Sequence, residues 1–292
     1  MKFYIHAVGG LGDHFHEYFG GHWRHLDFSY LKAIKIKHPD CYVKVISHSA
    51  CKEAVREYFK FEPDIDELHV MDWVDPNKKV FKKEKEEAGP GFIKLSDYAI
   101  ENNIEKVIPD KVYMRPEEEE FVEFIRREGE FITVHPFAGE PGRIVFKEEE
   151  YINLISRLRK KLGVNIVVLG ASNIKREKIK GKEIKNEEKI NISSDGIFNL
   201  VNKINIRVAC GLIMKSSCLV ANHSSLACFL TQGHRPLVIM LPKHSWMTKH
   251  NRVNKNFLTE DNISLIPVIK KKEAMHQIVD TTKEIIERNR NV

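Results

Sequence analysis

A polar turn between two apolar segments carries the residues best suited to hold a phosphate group. The turn reads Asn222-His223-Ser224-Ser225, between a predicted buried strand at 218–221 and a predicted helix at 225–232. Asn and Ser side chains accept hydrogen bonds from the free N–H groups that open a helix. A helix start that follows a strand also presents those N–H groups, and the positive end of the helix dipole, to an anion. We therefore predict a phosphate-binding turn here, with simple helix capping by Ser224 and Ser225 as the alternative.

A glycine-rich segment near the N-terminus is the second candidate for chemistry. It runs from Gly9 to Asp13 and directly follows an apolar, strand-like run. Gly10 and Gly12 allow the backbone to approach a ligand closely. Asp13 adds a carboxylate beside these glycines. Capping of the helix that starts near His14 is the alternative role for this aspartate.

Further polar residues follow other predicted strands. His135 ends a strand predicted at Phe131–His135, Gly170 and Ser172 follow one at 165–169, and Lys243 follows one at 237–241. Ligands of open α/β sheets bind at the carboxyl ends of the strands. These residues are therefore expected to mark one rim.

Histidines and cysteines show no familiar metal-ligand spacing. No carboxylate completes a ligand set with the histidines of the first predicted helix, and the five cysteines form no CxxC pair. We therefore predict no metal site and no cofactor, in a reducing, cytoplasmic compartment. The histidines concerned are His14, His16, His22 and His25.

Strand and helix alternate twice along the chain, which predicts an α/β fold of two Rossmann-like α/β/α domains facing a central cleft. The alternation restarts after Gly129-Glu130, so we place the domains at 1–128 and 129–272. A terminal helix at 273–292 follows, with packing back on the N-terminal domain as one option. Among the other elements, helices are predicted at 93–102, 148–162 and 206–215, and strands at 106–113, 190–193 and 263–268.

Composition narrows the class of partner. The 292 residues are 42% hydrophobic and 30% charged, which is typical of a globular protein. The formal net charge of +6 favours anionic partners such as nucleotides, but it is too mixed with Glu to indicate nucleic acid. No apolar run approaches the length of a membrane span, and nothing in the sequence indicates a signal peptide.

Three ordered patches give the chain a family resemblance. The Gly9–Asp13 segment resembles the first-strand Gly-x-Gly-Asp loop of the GT-B glycosyltransferases of the lipopolysaccharide heptosyltransferase-like family, glycosyltransferase family 9. The passage from His135 through Arg143 to Gly170 is similar to that family's His-Pro-Gly loop, Lys, helix and Gly-ended strand. The turn at 222–225 resembles its Asp-Thr-Gly-x-x-His motif, although Asn222-His223-Ser224 replaces Asp-Thr-Gly and Ala227 takes the place of the histidine.

The resemblance implies sugar transfer from a nucleotide-diphosphate donor to an acceptor hydroxyl, inverting and without a metal, in cell-surface glycan synthesis. Asp13 would be the general base. Arg143, or alternatively Lys147, would neutralise the diphosphate, although Arg143 could also be a solvated loop residue. The N-terminal domain would bind the acceptor and the C-terminal domain the nucleotide-sugar. We expect a glycan or lipid-linked glycan acceptor, no nucleic acid, and a cytoplasmic protein with peripheral contact at the inner membrane face as an option.

Three other functions remain to be compared with transfer. A nucleotide-sugar epimerase on the same fold would need no separate acceptor. A non-catalytic nucleotide- or glycan-binding relative is suggested by the replaced residues of the third patch. A nicotinamide dehydrogenase is disfavoured because the segment with Gly10 and Gly12 lacks a third glycine and an acidic ribose-binding residue at the right distance.

Overall fold

The computed structural model describes residues 1–9, 27–49, 51–73, 84–105, 107, 111–138, 141–171, 190–230, 236–243 and 263–290. These residues divide into two compact units, the first reaching Tyr113 and the second starting at Met114. This division differs from the sequence boundary after residue 128 by one helix, which belongs to the second unit.

The first unit is a parallel sheet with the strand order β3-β2-β1-β4. Strand β1 is buried from Phe3 to Val8 without alternation, as expected for a parallel strand that is covered on both faces. The elements of this unit are β1 (Lys2–Gly9), α1 (Asp27–Lys37), β2 (Tyr42–Ser49), α2 (Lys52–Phe59), β3 (Glu67–Asp72), α3 (Glu84–Ala88), β4 (Phe92–Lys94) and α4 (Leu95–Glu101).

The second unit contains a six-stranded parallel sheet in the order β10-β9-β8-β5-β6-β7. Its elements are α5 (Pro116–Arg127), β5 (Phe131–His135), a 3-10 turn (Pro141–Arg143), α6 (Glu148–Leu162), β6 (Asn165–Val168), β7 (Ile197–Asn199), α7 (Ile206–Lys215), β8 (Leu219–Asn222), α8 (Ser225–Leu230), β9 (Leu237–Pro242), β10 (Ile263–Val268) and α9 (Lys271–Arg290).

The path of the chain through this sheet creates a switch point. From β5 the chain builds β6 and β7 on one side, and it then returns to the other side of β5 to build β8, β9 and β10. Because successive connections leave β5 and β8 in opposite directions, their carboxyl ends flank a crevice, which is where open α/β sheets bind ligands.

Helices α6 and α9 close the core of the second unit. Leu154, Ile155 and Leu158 of α6 and Ile278 and Ile285 of α9 are buried in one hydrophobic cluster with the sheet. The helix α9 packs against α6, β9 and β10. The C-terminal helix is therefore part of the second unit's own core.

A buried ion pair fixes helix α5 to helix α7. Both carboxylate oxygens of Glu118 accept hydrogen bonds from the Arg207 guanidinium, at 2.6 and 3.1 Å, and Asn205 donates a third at 2.6 Å. Burial raises the pKa of Glu118, but these bonds and one from the Arg115 backbone outweigh it and lower the pKa to about 2. Glu118 therefore stays ionised inside the protein.

Most predicted elements are confirmed, and the exceptions are short. Strand β5, helices α6 and α7 and strand β10 have their predicted bounds. The helix prediction at 93–102 is wrong at its start, because Ile93 pairs with Phe3 in β4. The predicted strand at 106–113 shows no strand in its described residues, 107 and 111–113.

The strand predicted at 190–193 is also wrong, and β7 at Ile197–Asn199 pairs with β6 instead. The Asn199 side chain donates to the Ile190 carbonyl at 2.8 Å. That carbonyl therefore has a side-chain partner, and the segment folds back on β7.

Candidate functional site

Two polar residues end the strands on either side of the switch point. His135 is the last residue of β5 and Asn222 the last of β8, and β5 and β8 pair in register from Thr133 with Leu219 to His135 with Ala221. Both predicted site residues therefore lie at the same edge of the sheet. The parallel pairing of two strands that are distant in sequence brings them together.

The imidazole of His135 bonds to the turn after β8. Its Nδ1 lies 2.9 Å from the Ser224 hydroxyl oxygen, and both side chains are buried. Burial lowers the pKa of His135 to about 4, from an ordinary value of 6.5. At neutral pH the ring therefore has no charge, and it can offer a hydrogen bond to a ligand but cannot neutralise one.

Asn222 holds the loop that leaves β5. Its amide nitrogen donates to the Pro136 carbonyl at 2.6 Å, and its amide oxygen accepts from the Tyr151 hydroxyl at 2.9 Å. The Asn222 side chain is fully buried. These two bonds fix the β5 loop against β8 and against the first turns of α6.

Gly170 completes the wall next to the histidine. Its φ is +135°, and a Cβ placed there would lie 2.2 Å from the Phe137 ring and 3.2 Å from the His135 ring. No side chain fits in that space, so the predicted site glycine is required for packing beside His135.

The other residues of the turn are more accessible. His223 and Ser225 are half-buried, and Ser225 starts helix α8. His223 and Ser225 are thus the residues of the turn that reach the surface, and the buried Asn222 and Ser224 form hydrogen bonds inside the unit.

Three cationic residues lie at the same edge of the sheet. Arg143 is half-buried in the 3-10 turn after β5, which packs against β9. Lys147 is exposed just before α6, where its backbone N–H donates to Glu150 at 2.7 Å. Lys243 is exposed and directly follows β9. In a parallel sheet, the connection to the next helix begins at the carboxyl end of a strand. The three cationic residues lie in such connections, at the sheet edge that carries His135 and Asn222.

Four predicted residues lie outside the described part of the chain, and their roles stay predictions. They are Gly10, Gly12, Asp13 and Ser172.

Tyr151 and Phe137 contribute to the site but are absent from the sequence-based set. The spacing of Tyr151, Leu154, Ile155 and Leu158 along α6 is the helical period of a buried face, so burial of Tyr151 was readable from the sequence. Its partner Asn222 was not, because that contact depends on how β8 returns beside β5.

No protein-family profile and no curated protein matches the chain. Solved structures do match it over nearly its full length. The Escherichia coli ADP-heptose LPS heptosyltransferase II aligns with a TM-score of 0.59 and 13% identity, covering 99% of this chain and 100% of that one.

A glycosyl transferase family 9 protein from Veillonella parvula aligns with a TM-score of 0.58 at 9% identity, covering 98% of this chain and 97% of that one. The E. coli heptosyltransferase WaaC with ADP aligns with a TM-score of 0.56 at 10% identity, covering 98% and 99% of the two chains. The predicted resemblance is thus confirmed at the level of the fold, which is that of the heptosyltransferases.

The described helices give no membrane-spanning candidate, since none of them is both long enough and apolar enough.

Proposed function

We propose that the protein is a glycosyltransferase that moves a sugar from a nucleotide-diphosphate donor to an acceptor hydroxyl in the synthesis of a cell-surface glycan. The observation that carries the proposal is the polar cluster of His135, Asn222 and Ser224 at the switch point of a chain that has the fold of heptosyltransferases along its length. One of those structures contains ADP and another is named for ADP-heptose, which supports a nucleoside diphosphate as the leaving group.

The donor diphosphate would bind at the carboxyl ends of β5 and β8. His135 is neutral there, so the charge of the diphosphate must be met by cations at the rim. Arg143 offers a bidentate fork, while Lys147 and Lys243 offer point charges. This arrangement needs no metal at the diphosphate.

The acceptor would bind to the N-terminal domain, with Asp13 as the general base. As the acceptor oxygen attacks the anomeric carbon, Asp13 would take its proton while the bond from that carbon to the diphosphate oxygen breaks. Attack from the face opposite the leaving group inverts the anomeric carbon. The acceptor class is a glycan or a lipid-linked glycan, and the cytoplasm, where nucleotide-sugars would be available, is the proposed compartment.

Thermal-shift screening with ADP, UDP, GDP and CMP tests donor binding. A ligand that binds the native state alone raises the melting temperature, so at least one nucleoside diphosphate is expected to do so in a concentration-dependent way. The absence of a shift with all four nucleotides would refute the proposal.

Substitutions separate the cation that contacts the diphosphate from its neighbours. Arg143→Gln is expected to weaken nucleotide binding about tenfold, the effect of losing about 1.4 kcal/mol, and Lys147→Gln tests the alternative. Arg126→Gln is the matched control, because Arg126 is exposed on α5 and pairs with Glu123. If the Arg143, Lys147 and Arg126 variants bind the nucleotide with equal affinity, neither Arg143 nor Lys147 contacts the diphosphate.

The competing function is a nucleotide-binding protein without turnover. It is favoured by one observation, the engagement of Asn222 and Ser224 in bonds within the unit. Asp13→Ala distinguishes the two. Transfer predicts a loss of turnover of at least about 100-fold with unchanged nucleotide affinity, whereas a binding protein shows no sugar transfer even with Asp13 in place.

A further inference from the structure

Three potential metal ligands from separate elements of the first unit meet beside its sheet. They are His6 on β1, His48 on β2 and Glu87 on α3, and their ligating atoms lie within 4.8 Å of one another. The Glu87 carboxylate oxygen Oε2 lies 3.1 Å from His48 Nε2 and 3.5 Å from His6 Nε2. The cluster involves none of the residues proposed for sugar transfer.

The strand register brings the two histidines to one face of the sheet. His6 pairs with Ile46 and Val8 with His48, so the histidines are diagonal neighbours on adjacent strands. Their rings meet edge to face with centroids 5.3 Å apart. Helix α3 packs against β2 and β4 and thereby places Glu87 near both rings.

A small hydrophobic cluster lies on the same face of the sheet as the two histidines. Tyr4, Ile46 and Ala88 are buried together, with Met71 and Phe92 packed against them. The histidine side chains are 4% and 6% exposed, whereas that of Glu87 is 27% exposed. A small cation could therefore reach the cluster past Glu87 and bind in a largely dry environment.

The hydrogen-bond partners of His48 require a proton or a metal ion between its ring and Glu87. Its Nδ1 lies 3.1 Å from the Asp72 backbone carbonyl, which can accept but cannot donate, so Nδ1 carries a hydrogen. In a neutral ring Nε2 then has a bare lone pair, and that lone pair faces the Glu87 carboxylate. Either a proton or a metal ion must lie between these two atoms, because two acceptors at this distance repel each other.

The spacing of the ligands fits a metal ion. Zinc bonds to His nitrogen and carboxylate oxygen are about 2.0–2.2 Å long, so tetrahedral ligands lie about 3.4 Å apart. The observed 3.1 and 3.5 Å match that separation. The Asp72 backbone carbonyl that accepts from His48 Nδ1 is also a common type of partner for the second ring nitrogen of metal-bound histidines, where it orients the ring.

We propose that His6, His48 and Glu87 bind a divalent transition metal ion, with Zn²⁺ as the best match. Two imidazoles and one carboxylate favour Zn²⁺ and its neighbours over Mg²⁺ or Ca²⁺, which take oxygen ligands. The ion links β1, β2 and α3, and three protein ligands leave a fourth position for water or another ligand. The sequence-based prediction of no metal site concerned spacing along the chain, and this cluster arises from strand pairing.

Metal binding to the untagged, full-length protein tests this site. After removal of metals with a chelator, one equivalent of Zn²⁺ per chain is expected to remain bound through gel filtration when measured by elemental analysis. Co²⁺ is expected to give the visible absorption of a tetrahedral site. Zn²⁺ is also expected to raise the melting temperature of the wild type.

Variants assign the ion to these ligands. Glu87→Gln and His48→Gln are expected to weaken Zn²⁺ binding at least about 100-fold, since loss of an outer partner alone weakens binding 10–100-fold. His69→Gln is the matched control, because His69 is an exposed histidine of the same sheet that pairs with Glu67. It is expected to bind Zn²⁺ like the wild type.

Two results would overturn the proposal. One is wild-type protein that retains no Zn²⁺ and shows no tetrahedral Co²⁺ absorption, which would leave a protonated histidine as the partner of Glu87. The other is unchanged Zn²⁺ affinity in Glu87→Gln, which conserves size at a partly exposed position and is expected to fold. Because neither measurement involves a nucleotide, the result is independent of the proposed transferase activity.

Discussion

The two sheets share a strand order but give their buried histidines different partners. In the first unit the order β3-β2-β1-β4 places His6 and His48 beside the carboxylate of Glu87. In the second unit β7-β6-β5-β8 repeats that order, and His135 faces the hydroxyl of Ser224 instead. The histidine on the first strand of each sheet is thus buried against a polar side chain, charged in one case and neutral in the other.

This difference suggests what each group can bind. In the first unit, a carboxylate beside two imidazoles attracts a cation, and the three side chains together can serve as its ligands. A neutral imidazole beside a hydroxyl forms an uncharged polar wall, so an anion there depends on cations at the rim. Sheets with the same strand order can therefore bind a cation in one unit and an anion in the other, depending on the side chain that lies next to the buried histidine.

The largest expected effect is on the buried ion pair of the second unit. Glu118→Ala leaves Arg207 charged and buried without its partner, so we expect unfolding in urea to show a loss of about 3–5 kcal/mol. Glu123→Ala on the same helix removes surface pairs with Lys215 and Arg126 and is expected to cost at most about 1 kcal/mol. Zn²⁺ affinity in the first unit should not change. Similar losses in both variants would show that the buried pair is not what stabilises the second unit.

A smaller loss is expected when the wall beside His135 is overpacked. Gly170→Ala adds a methyl group in contact with Phe137 at a positive φ, which we expect to cost about 2–4 kcal/mol in thermal or urea unfolding. Gly163→Ala is the control, because its φ is +69° but nothing lies within 4 Å of the new Cβ. Its cost should be about 1 kcal/mol, from the backbone alone. Equal costs would mean that the space next to His135 is open.

The pH dependence of stability should differ in sign between the units. In the unfolded chain His135 takes up a proton below its ordinary pKa of 6.5, whereas in the folded protein it does so only when the pH falls to about 4. The second unit should therefore lose about 1.4 kcal/mol of stability for each pH unit as pH falls through this window. In the first unit burial, followed by the charge of Asp64, raises the pKa of Glu62 from 4.5 to about 7. That contribution is present at low pH and is lost as pH rises from 4.5 towards 7.

Hydrogen exchange of peptides from each unit between pH 4.5 and 7 measures these two slopes separately, after correction for intrinsic exchange rates. His135→Gln should flatten the slope of the second unit, and Glu62→Gln that of the first. Slopes of the same sign in both units would contradict this account.

The smallest expected effect compares one hydrogen-bonded tyrosine in each unit, the buried Tyr151 and the half-buried Tyr98. Tyr151→Phe leaves the Asn222 amide oxygen without its donor, at an expected cost of about 1–3 kcal/mol. Tyr98→Phe removes a less buried bond of 2.9 Å to His38 in the first unit, with an expected cost of about 0.5–1.5 kcal/mol. Urea denaturation can resolve the difference. A larger loss of stability for Tyr98→Phe would contradict the expectation that the more deeply buried hydrogen bond contributes more.

Local sequence predicted the elements that local physics determines. The continuous apolar run of β5 and the helical periodicity of α6, with Gly163 in the left-handed conformation after its last turn, needed no tertiary information. The segment before β7 could not be assigned in this way, since Ile190–Ile192 and Ile197–Asn199 each contain two apolar residues and one Asn. Pairing with β6 selects the second.

The candidate sites follow the same rule. His135 and Asn222 could be predicted because each ends a recognisable strand, and strand ends carry ligands in such sheets. Their contacts with Ser224 and Tyr151 could not, since they depend on β8 returning beside β5. The cluster of His6, His48 and Glu87 was missed for the same reason, because Glu87 lies 39 residues after His48 and only the strand register and helix α3 bring them together.

A crystal structure of the protein soaked with the nucleoside diphosphate that gives the largest thermal shift tests the central claim most directly. The account predicts density for the diphosphate at the carboxyl ends of β5 and β8, within hydrogen-bonding distance of the turn at 222–225 and of Arg143 or Lys147. Density elsewhere on the protein, with this edge of the sheet free of ligand, would contradict it.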